Sequence, residues 1–479
     1  MLFNSIDFAI FLPIVFMLYW VINKRGSLTM QNLLIVVASY VFYGWWDYRF
    51  LALIVFSTLV DFTVGQQLRK ASDSGKRKAL LWTSIFVNIG LLGFFKYYNF
   101  FVDNFVQAFS FFGSEIQPNT LNIILPVGIS FYTFQTLSYT IDVYRKKLDP
   151  TNDIVAFAAF VSFFPQLVAG PIERATNLLP QFYKTRKFHY SKAVDGLRQI
   201  LWGLFKKVVI ADNCAQFANM IFDDYSQYSG STLLLGAIFF AFQIYGDFSG
   251  YSDIAIGTSR LFGFDLKQNF AFPYFSRDIA EFWRRWHISL STWFRDYVYI
   301  PLGGSKGSVG NQIRNVFIIF IVSGFWHGAN WTFIVWGALN AVYFLPLLLL
   351  QRNRKHTNVV AEHTMLPSIK EGIAMLITFL ITTLAWIFFR APSISDAVQY
   401  LAGVIDSSLV SIPEIRPSFL FILILLFLVI EWAGRRQKYA LEALWLGRPK
   451  VVRWLAYYII SMIIFLYGGK AQEFIYFQF

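Results

Sequence analysis

The chain has 479 residues, of which 56% are hydrophobic, 20% aromatic and only 14% charged, where a water-soluble domain carries roughly a quarter charged residues. That balance excludes a soluble globular protein and places the polypeptide in a lipid bilayer; 54 Phe and 15 Trp exceed what a soluble core needs. A net charge of +13 would raise nucleic-acid binding in a soluble chain, but the Lys and Arg fall in short breaks between apolar runs, so they read as topology signals and no nucleic-acid partner is expected.

The N-terminus, Met1-Leu2-Phe3-Asn4, runs into an apolar stretch without the basic segment or small-residue cleavage site of a signal peptide, so that stretch is expected to be retained as a span. Apolar runs long enough to span lie near residues 8–22, 31–46, 50–66, 79–95, 154–170, 196–212 and 232–246. Further runs lie near 250–264, 313–326, 331–350, 371–389, 418–433 and 451–467. Several fall short of the roughly 20 residues of a straight span, which predicts some re-entrant or broken helices. The stretch 121–139 carries Pro126 and Gly128 amid apolar residues, the pattern of a partly inserted segment buried in protein. The reading is an all-α polytopic membrane protein of about 11–13 transmembrane or re-entrant helices plus an amphipathic interfacial helix. It forms a single domain over residues 1–479 with a motif core at about 126–340.

Lys24 and Arg25 and the clusters at 69–78, 352–355 and 435–438 all flank spans, and the positive-inside rule assigns them to the cytoplasm. Both termini, and the loop 390–417, then fall outside. Cys214 is the single cysteine, which excludes an internal disulfide and a cysteine-rich metal site and reads as a packing residue.

Chemistry concentrates between Tyr245 and Trp336. Two acids and two serines interrupt apolar sequence in Gly246-Asp247-Phe248-Ser249-Gly250-Tyr251-Ser252-Asp253. Ionisable groups at membrane depth are expensive and face a cavity or a partner; the competing reading is a helix-packing seam built on Gly246 and Gly250. In 277–300, Ile279, Phe282, Trp286, Leu290, Trp293 and Tyr297 recur at three- and four-residue steps while Arg284, Arg285 and Arg295 lie elsewhere. This predicts a basic amphipathic helix along the inner membrane face, carrying His287. Ser289 and Ser291 lack a nucleophile elbow. His327 stands between Gly324 and Gly328, where helices approach closely, and an imidazole inside a bilayer needs polar partners: a catalytic or proton-relay histidine, or a hydrogen-bonded core one. His189, His356 and His363 lie in polar connections. No Walker A, HExxH or EF-hand pattern occurs, and Gly303-Gly304-Ser305-Lys306 lacks P-loop spacing. What remains is metal-free acid–base chemistry by histidine, with no metal ligands expected.

The run FWRRWHISLSTWFRDYVYIPLGG, followed forty residues after its histidine by a second one in GFWHGANWTFIVWG, resembles the membrane-bound O-acyltransferase family. The resemblance is greatest to its bacterial branch with the alginate O-acetyltransferase membrane subunit. PVGISFYTFQTLSYTIDVYR at 126–145, FFPQLVAGPIERA at 163–175 and YGDFSGYSDIAIG at 245–257 extend the match. The resemblance implies an acyltransferase in which His327 matches the membrane-embedded histidine and His287 the other motif histidine. It further implies a multi-pass protein of the bacterial cytoplasmic membrane that takes an acyl group, acetyl for this branch, from a cytoplasmic thioester such as acetyl-CoA. A secreted or membrane-anchored acetyltransferase partner then completes transfer to an exported polysaccharide. Relatives that acetylate peptidoglycan or D-alanylate teichoic acid define the alternatives within the fold, and the long interfacial motif favours the polysaccharide-acetylating branch.

Elementary chemistry is consistent with this. Attack of a hydroxyl on a thioester needs a base, and neutral imidazole suits physiological pH. His327 is the expected base, His287 the group that orients the thioester or assists proton transfer, and Arg284 and Arg285 candidates to attract an anionic donor. A transporter or flippase with His327 as proton relay is the rival of another class, but the inverted repeats it calls for are not seen; a third reading is a non-catalytic scaffold.

Overall fold

The computed structural model describes residues 1–24, 26–111 and 120–475; Arg25 of the first basic pair lies outside the described residues. The helices in chain order are α1 (Ile6–Lys24), α2 (Leu28–Asp47), α3 (Leu51–Lys70), α4 (Ser74–Leu92), α5 (Tyr98–Phe111), α6 (Ile129–Tyr144) and α7 (Ile154–Ser162). They continue with α8 (Ala175–Leu178), α9 (Tyr190–Leu204), α10 (Asp212–Asp223), α11 (Gly230–Leu261), α12 (Ile279–Arg285) and α13 (Ile288–Phe294). The last six are α14 (Val309–His327), α15 (Trp331–Leu349), α16 (Ile369–Arg390), α17 (Ile394–Val404), α18 (Ser418–Gly434) and α19 (Lys450–Tyr467).

The fold is all-α, with no strand among the described residues. Among the described residues seven continuous helical segments are long and apolar enough to cross a bilayer: Ile6–Lys24, Leu28–Lys70, Ser74–Ser110, Gly230–Leu261, Trp331–Leu349, Ile369–Arg390 and Lys450–Tyr467. The apolar runs therefore merge into fewer, longer rods than their spacing suggests. Those near 232–246 and 250–264 form the single 32-residue α11, and the run near 154–170 is helical only over the nine residues of α7. The chain forms two compact units, residues 1–193 with 258–266, and residues 194–257 with 267–479.

In the first unit a buried carboxylate organises three helices. Asp61 of α3 accepts hydrogen bonds from Asn88 Nδ2 of α4 at 2.8 Å, from Thr140 Oγ1 of α6 at 2.9 Å and from Ser84 Oγ. An ionisable group cut off from water needs such donors, which is why hydroxyl and amide residues interrupt these apolar helices. The 121–139 stretch behaves as a protein-buried insertion: an irregular lead turns at Gly128, which takes a φ of +75°, into α6, almost all of it buried. A Cβ at Gly128 would sit 2.7 Å from the Leu167 carbonyl oxygen.

In the second unit the acids of α11 do not break the helix because each finds a cation. Lys207 Nζ pairs with Asp247 at 2.7 Å and Asp212 at 2.8 Å, and Lys206 Nζ with Asp253 at 2.6 Å. Removing one partner of such a buried pair costs about 3–5 kcal/mol. The packing-seam reading of Gly246 and Gly250 also holds: a Cβ at Gly250 would lie 2.8 Å from the Gly203 carbonyl oxygen, and one at Gly246 would lie 2.9 Å from that of Lys206. Glu431 of α18 completes the seam, accepting from Tyr245 Oη at 2.6 Å and Trp202 Nε1 at 3.1 Å. Cys214 is buried.

The loop 390–417 carries a helix of its own, α17, capped by Ser393, whose side chain accepts from Asp396 N. The stretch predicted as one amphipathic helix over 277–300 is two seven-residue helices, α12 and α13, followed by a π-type turn at Arg295–Tyr299. It breaks at His287, which takes a left-handed φ of +44°. Backbone bonds to the 269–271 segment, Ile288 N to Asn269 O at 2.8 Å and Ala271 N to Arg285 O at 2.9 Å, hold the break open. The three- and four-residue apolar spacing survives such a kink, so periodicity alone does not reveal it.

Candidate active site

Helices α14 and α15 form an antiparallel hairpin whose turn carries His327. The hairpin closes tightly because a Cβ at Gly324 would collide with the Phe333 carbonyl oxygen and one at Gly337 with that of Phe320. His327 is the last residue of α14, and the chain breaks over 328–330 before Asn330 caps α15, its side chain accepting from Thr332 N. The imidazole is 4% exposed and sits among aromatic rings, 4.8 Å from Trp326, 5.2 Å from Trp336 and 5.2 Å from Phe389 between centroids.

The break at His287 brings the second histidine to the same place. His287 is 1% exposed, lies edge-on to Phe248 at 4.6 Å and is 6.1 Å from the Trp326 ring. Its Nδ1 is 3.0 Å from Asn269 Oδ1. The backbone N–H of Ser289 donates to that same Asn269 atom at 3.3 Å, and Ser289 Oγ donates to it at 2.8 Å. A backbone N–H only donates, so the atom is the amide oxygen, and His287 Nδ1 therefore carries the proton. Asn269 Nδ2 in turn donates to Ser252 Oγ at 3.0 Å. The tautomer is thus set, and Nε2 is a buried lone pair without a hydrogen-bond donor among the described residues. His287 lies outside the seven candidate spans; burial lowers its pKa to about 3, so the ring is neutral at physiological pH.

Both histidines line one cavity of about 530 Å³. It follows one stripe of α14, through Gln312, Val316, Phe320, Ser323 and His327, a run of about 22 Å at the helical rise per residue. Its middle is apolar, with Leu290, Phe294, Phe344 and Leu348 contributing. The end away from His327 is polar and cationic: Ser305, Gln351, Asn353, Arg295 and Arg354. The connection that follows this end, residues 350–368, also holds the 435–438 cluster: Arg435 Nη2 donates to Ala361 O at 2.8 Å and Arg436 Nη2 to Thr364 O at 2.9 Å. The opposite end meets the 391–417 loop, where Asn330 Nδ2 donates to Pro392 O at 2.9 Å.

Of the residues selected from sequence, the structure brings His287 and His327 together on the cavity wall and leaves Arg284 and Arg285 off it. Arg285 pairs with buried Glu281 at 2.8 Å, as does Arg277 at 3.0 Å. Arg284 donates to the carbonyls of Asn353 and His356, each at 2.7 Å, and so holds the segment that forms the polar mouth. Ser289 is committed to Asn269, and Ser291 Oγ donates to Trp286 O at 3.4 Å. The sequence reading missed Asn269, which belongs to no motif, and Arg354, hidden in a cluster that reads as topology. Among the described residues no group of three His, Cys, Asp or Glu side chains is arranged to hold a metal ion.

Residues 148–389 match the model of the membrane-bound O-acyltransferase family, and every residue lining the cavity falls within that range. The Pseudomonas aeruginosa protein named probable alginate O-acetylase AlgI is 39% identical, over 92% of this chain and 82% of its own. The Helicobacter pylori peptidoglycan O-acetyltransferase is 37% identical, over 86% of this chain and 81% of its own. The Bacillus subtilis teichoic acid D-alanyltransferase is 29% identical over 46% of this chain and 58% of its own. The helical fold, the apolar spans and these similarities agree that the chain belongs to the membrane-bound O-acyltransferase family and is a multi-pass membrane acyltransferase.

Proposed function

We propose that this protein moves an acetyl group from a cytoplasmic thioester, acetyl-CoA or a carrier-bound equivalent, through the bacterial cytoplasmic membrane for O-acetylation of an exported or cell-surface polysaccharide. The observation that carries the reading is one continuous cavity, cationic at one end and lined by two buried histidines towards the other. A thioester donor has matching parts: an anionic head for Arg295 and Arg354, an extended thiol arm for the apolar middle, and a carbonyl for the histidines. Arg284 and Arg285 serve the donor by fixing the mouth segment, Arg284 through Asn353 and His356 and Arg285 through its 3.0 Å bond to Asn358 O.

In the proposed step a hydroxyl oxygen attacks the thioester carbonyl carbon. The new C–O bond forms, the C–S bond breaks, and the hydroxyl proton passes to imidazole and then to the departing thiolate. His327 is the proposed base, and His287, with Nδ1–H anchored on Asn269 and Nε2 available, orients the thioester or relays the proton. A secreted or membrane-anchored acetyltransferase partner completes delivery to the polymer. The relatives' names favour O-acetyl over D-alanyl transfer, since the two named for O-acetylation match over far more of the chain.

The test is direct. Full-length protein in nanodiscs, given radiolabelled acetyl-CoA and an acetylatable polysaccharide with the secreted partner, should release free CoA and label the polymer. A protein that binds acetyl-CoA without consuming it under those conditions would be a scaffold or a carrier, and the proposal would fail.

A further inference from the structure

The first unit contains a second cavity, of about 640 Å³, that acyl transfer does not use. Its lining is cationic: Lys184, Arg186, Lys187, Lys192 and Arg260 face it, against the single carboxylate of Asp265, which Lys192 pairs at 3.0 Å. Lys184 and Lys187 are exposed and have no ion-pair partner among the described residues. Arg186 is different in kind, being only 4% exposed. Its guanidinium meets neutral acceptors alone, Asn32 Oδ1 at 2.7 Å, Gln31 Oε1 at 3.3 Å and Gln181 O at 3.4 Å, and lies over the rings of Tyr19 and Phe264. Its Nε is buried and donates to nothing among the described residues. A buried cation without a carboxylate is costly to maintain. An anion entering the cavity would supply the missing charge.

The surroundings say what kind of anion fits. Trp20, in the last turn of α1, forms one wall; its Nε1 donates to Leu261 O at 3.1 Å, and Phe188 packs edge-on against it at 5.3 Å. Because α1 is one of the apolar spans, Trp20 and Lys24 mark where it leaves the bilayer. Tyr183, Phe188 and Tyr190 present exposed rings beside the basic residues, as side chains at the lipid–water boundary do. Aromatic rings seated at headgroup level around a basic pocket hold a phosphate in water while acyl chains stay in the bilayer.

We propose that this cavity is a binding site for the phosphate-bearing headgroup of an anionic phospholipid, of which phosphatidylglycerol is the natural probe. Free phosphate offers the same charge without the acyl chains, so the experiment separates the two sources. Full-length protein is purified in detergent micelles, and bound lipid is measured by native mass spectrometry with added phosphatidylglycerol, with phosphatidylcholine, or with inorganic phosphate and no lipid. The expected result is retention of phosphatidylglycerol at least tenfold over phosphatidylcholine, falling as salt rises. The double variant K184Q/K187Q removes two exposed cations and leaves the buried Arg186 in place. It should weaken phosphatidylglycerol binding about 25-fold, at roughly fivefold per cation near a lipid surface. Equal retention of the two lipids, or undiminished binding in the double variant, overturns the proposal. So does displacement of phosphatidylglycerol by an equal concentration of inorganic phosphate, which would assign the cavity to a soluble ligand.

Discussion

Asn269 Oδ1 accepts the Nδ1 proton of His287 at 3.0 Å, and the same oxygen accepts from the backbone N–H of Ser289. One amide thereby sets the tautomer of an imidazole on the cavity wall and stabilises the backbone break that carries it. Asn269→Ala should lower kcat by about 100-fold with little change in donor KM, the usual cost of misplacing a reacting group by about an ångström. Asn269→Asp keeps an acceptor but adds a negative charge, which raises the His287 pKa. An imidazole that relays a proton must start neutral, so the acid limb of the pH–rate profile should move to higher pH in that variant if His287 relays, whereas burial keeps it low in the parent. An unchanged profile would leave Asn269 a purely structural residue.

The two histidines should separate kinetically. His327→Ala is expected to remove the general base and lower turnover by about 100-fold to 10,000-fold while the protein still inserts and accumulates. His287→Ala should reduce turnover less severely, and a rise in donor KM would mark it as the group that positions the thioester. Single-turnover acyl transfer from a labelled thioester measures both. Near-normal turnover without His327 would contradict its assignment as base.

The histidines and the broken helix at 324–330 were legible in the sequence because their cause is local: glycines four apart around an ionisable residue in apolar sequence. The kink at His287 was not, because it is imposed by Asn269, eighteen residues earlier and in no recognisable motif. Arg354 and Arg284 were hidden for a related reason. Basic residues at the end of a span look the same whether they set topology, face a donor or hold a loop, and only the hydrogen bonds from Arg284 to Asn353 and His356 tell them apart. The acids of α11 looked like a site because their partners, Lys206 and Lys207, lie forty or more residues away in the sequence.

The cations at the cavity mouth divide into two kinds with opposite expected phenotypes. Arg354→Gln and Arg295→Gln should raise donor KM several-fold with kcat preserved, since they face the cavity end where an anionic head would rest. Arg285→Gln instead removes one of the two guanidinium partners of Glu281, which is 1% exposed and keeps Arg277, and should cost about 1.5–3 kcal/mol of stability. Thermal unfolding in detergent, compared with donor KM, separates the two. A KM effect confined to Arg285→Gln, with Arg354→Gln silent, would reverse this division.

Sidedness decides whether the cavity can serve a cross-membrane transfer. Ser305 lies just before the start of α14, and the 391–417 loop joins its other end through Asn330 and Pro392. Nineteen helical residues separate the two ends, about 28 Å at the helical rise per residue and close to the hydrocarbon thickness. Arg354 of the basic 352–355 cluster lines the Ser305 end of the cavity, which the positive-inside rule assigns to the cytoplasm. On that assignment a donor entering there would reach His327, the last residue of α14, only at the far end of the cavity, along a path walled by protein as a polar route through lipid must be. Ser305 and Ser407 are both exposed, and Cys214 is buried. In a Cys214→Ala background, Ser305→Cys should therefore react with an impermeant thiol reagent only from the cytoplasmic side and Ser407→Cys only from the outside. Intact cells and inverted vesicles supply the two exposures. Labelling of both positions from one side would place the two ends of α14 on the same face, and acetyl transfer across the membrane through this cavity could not then operate.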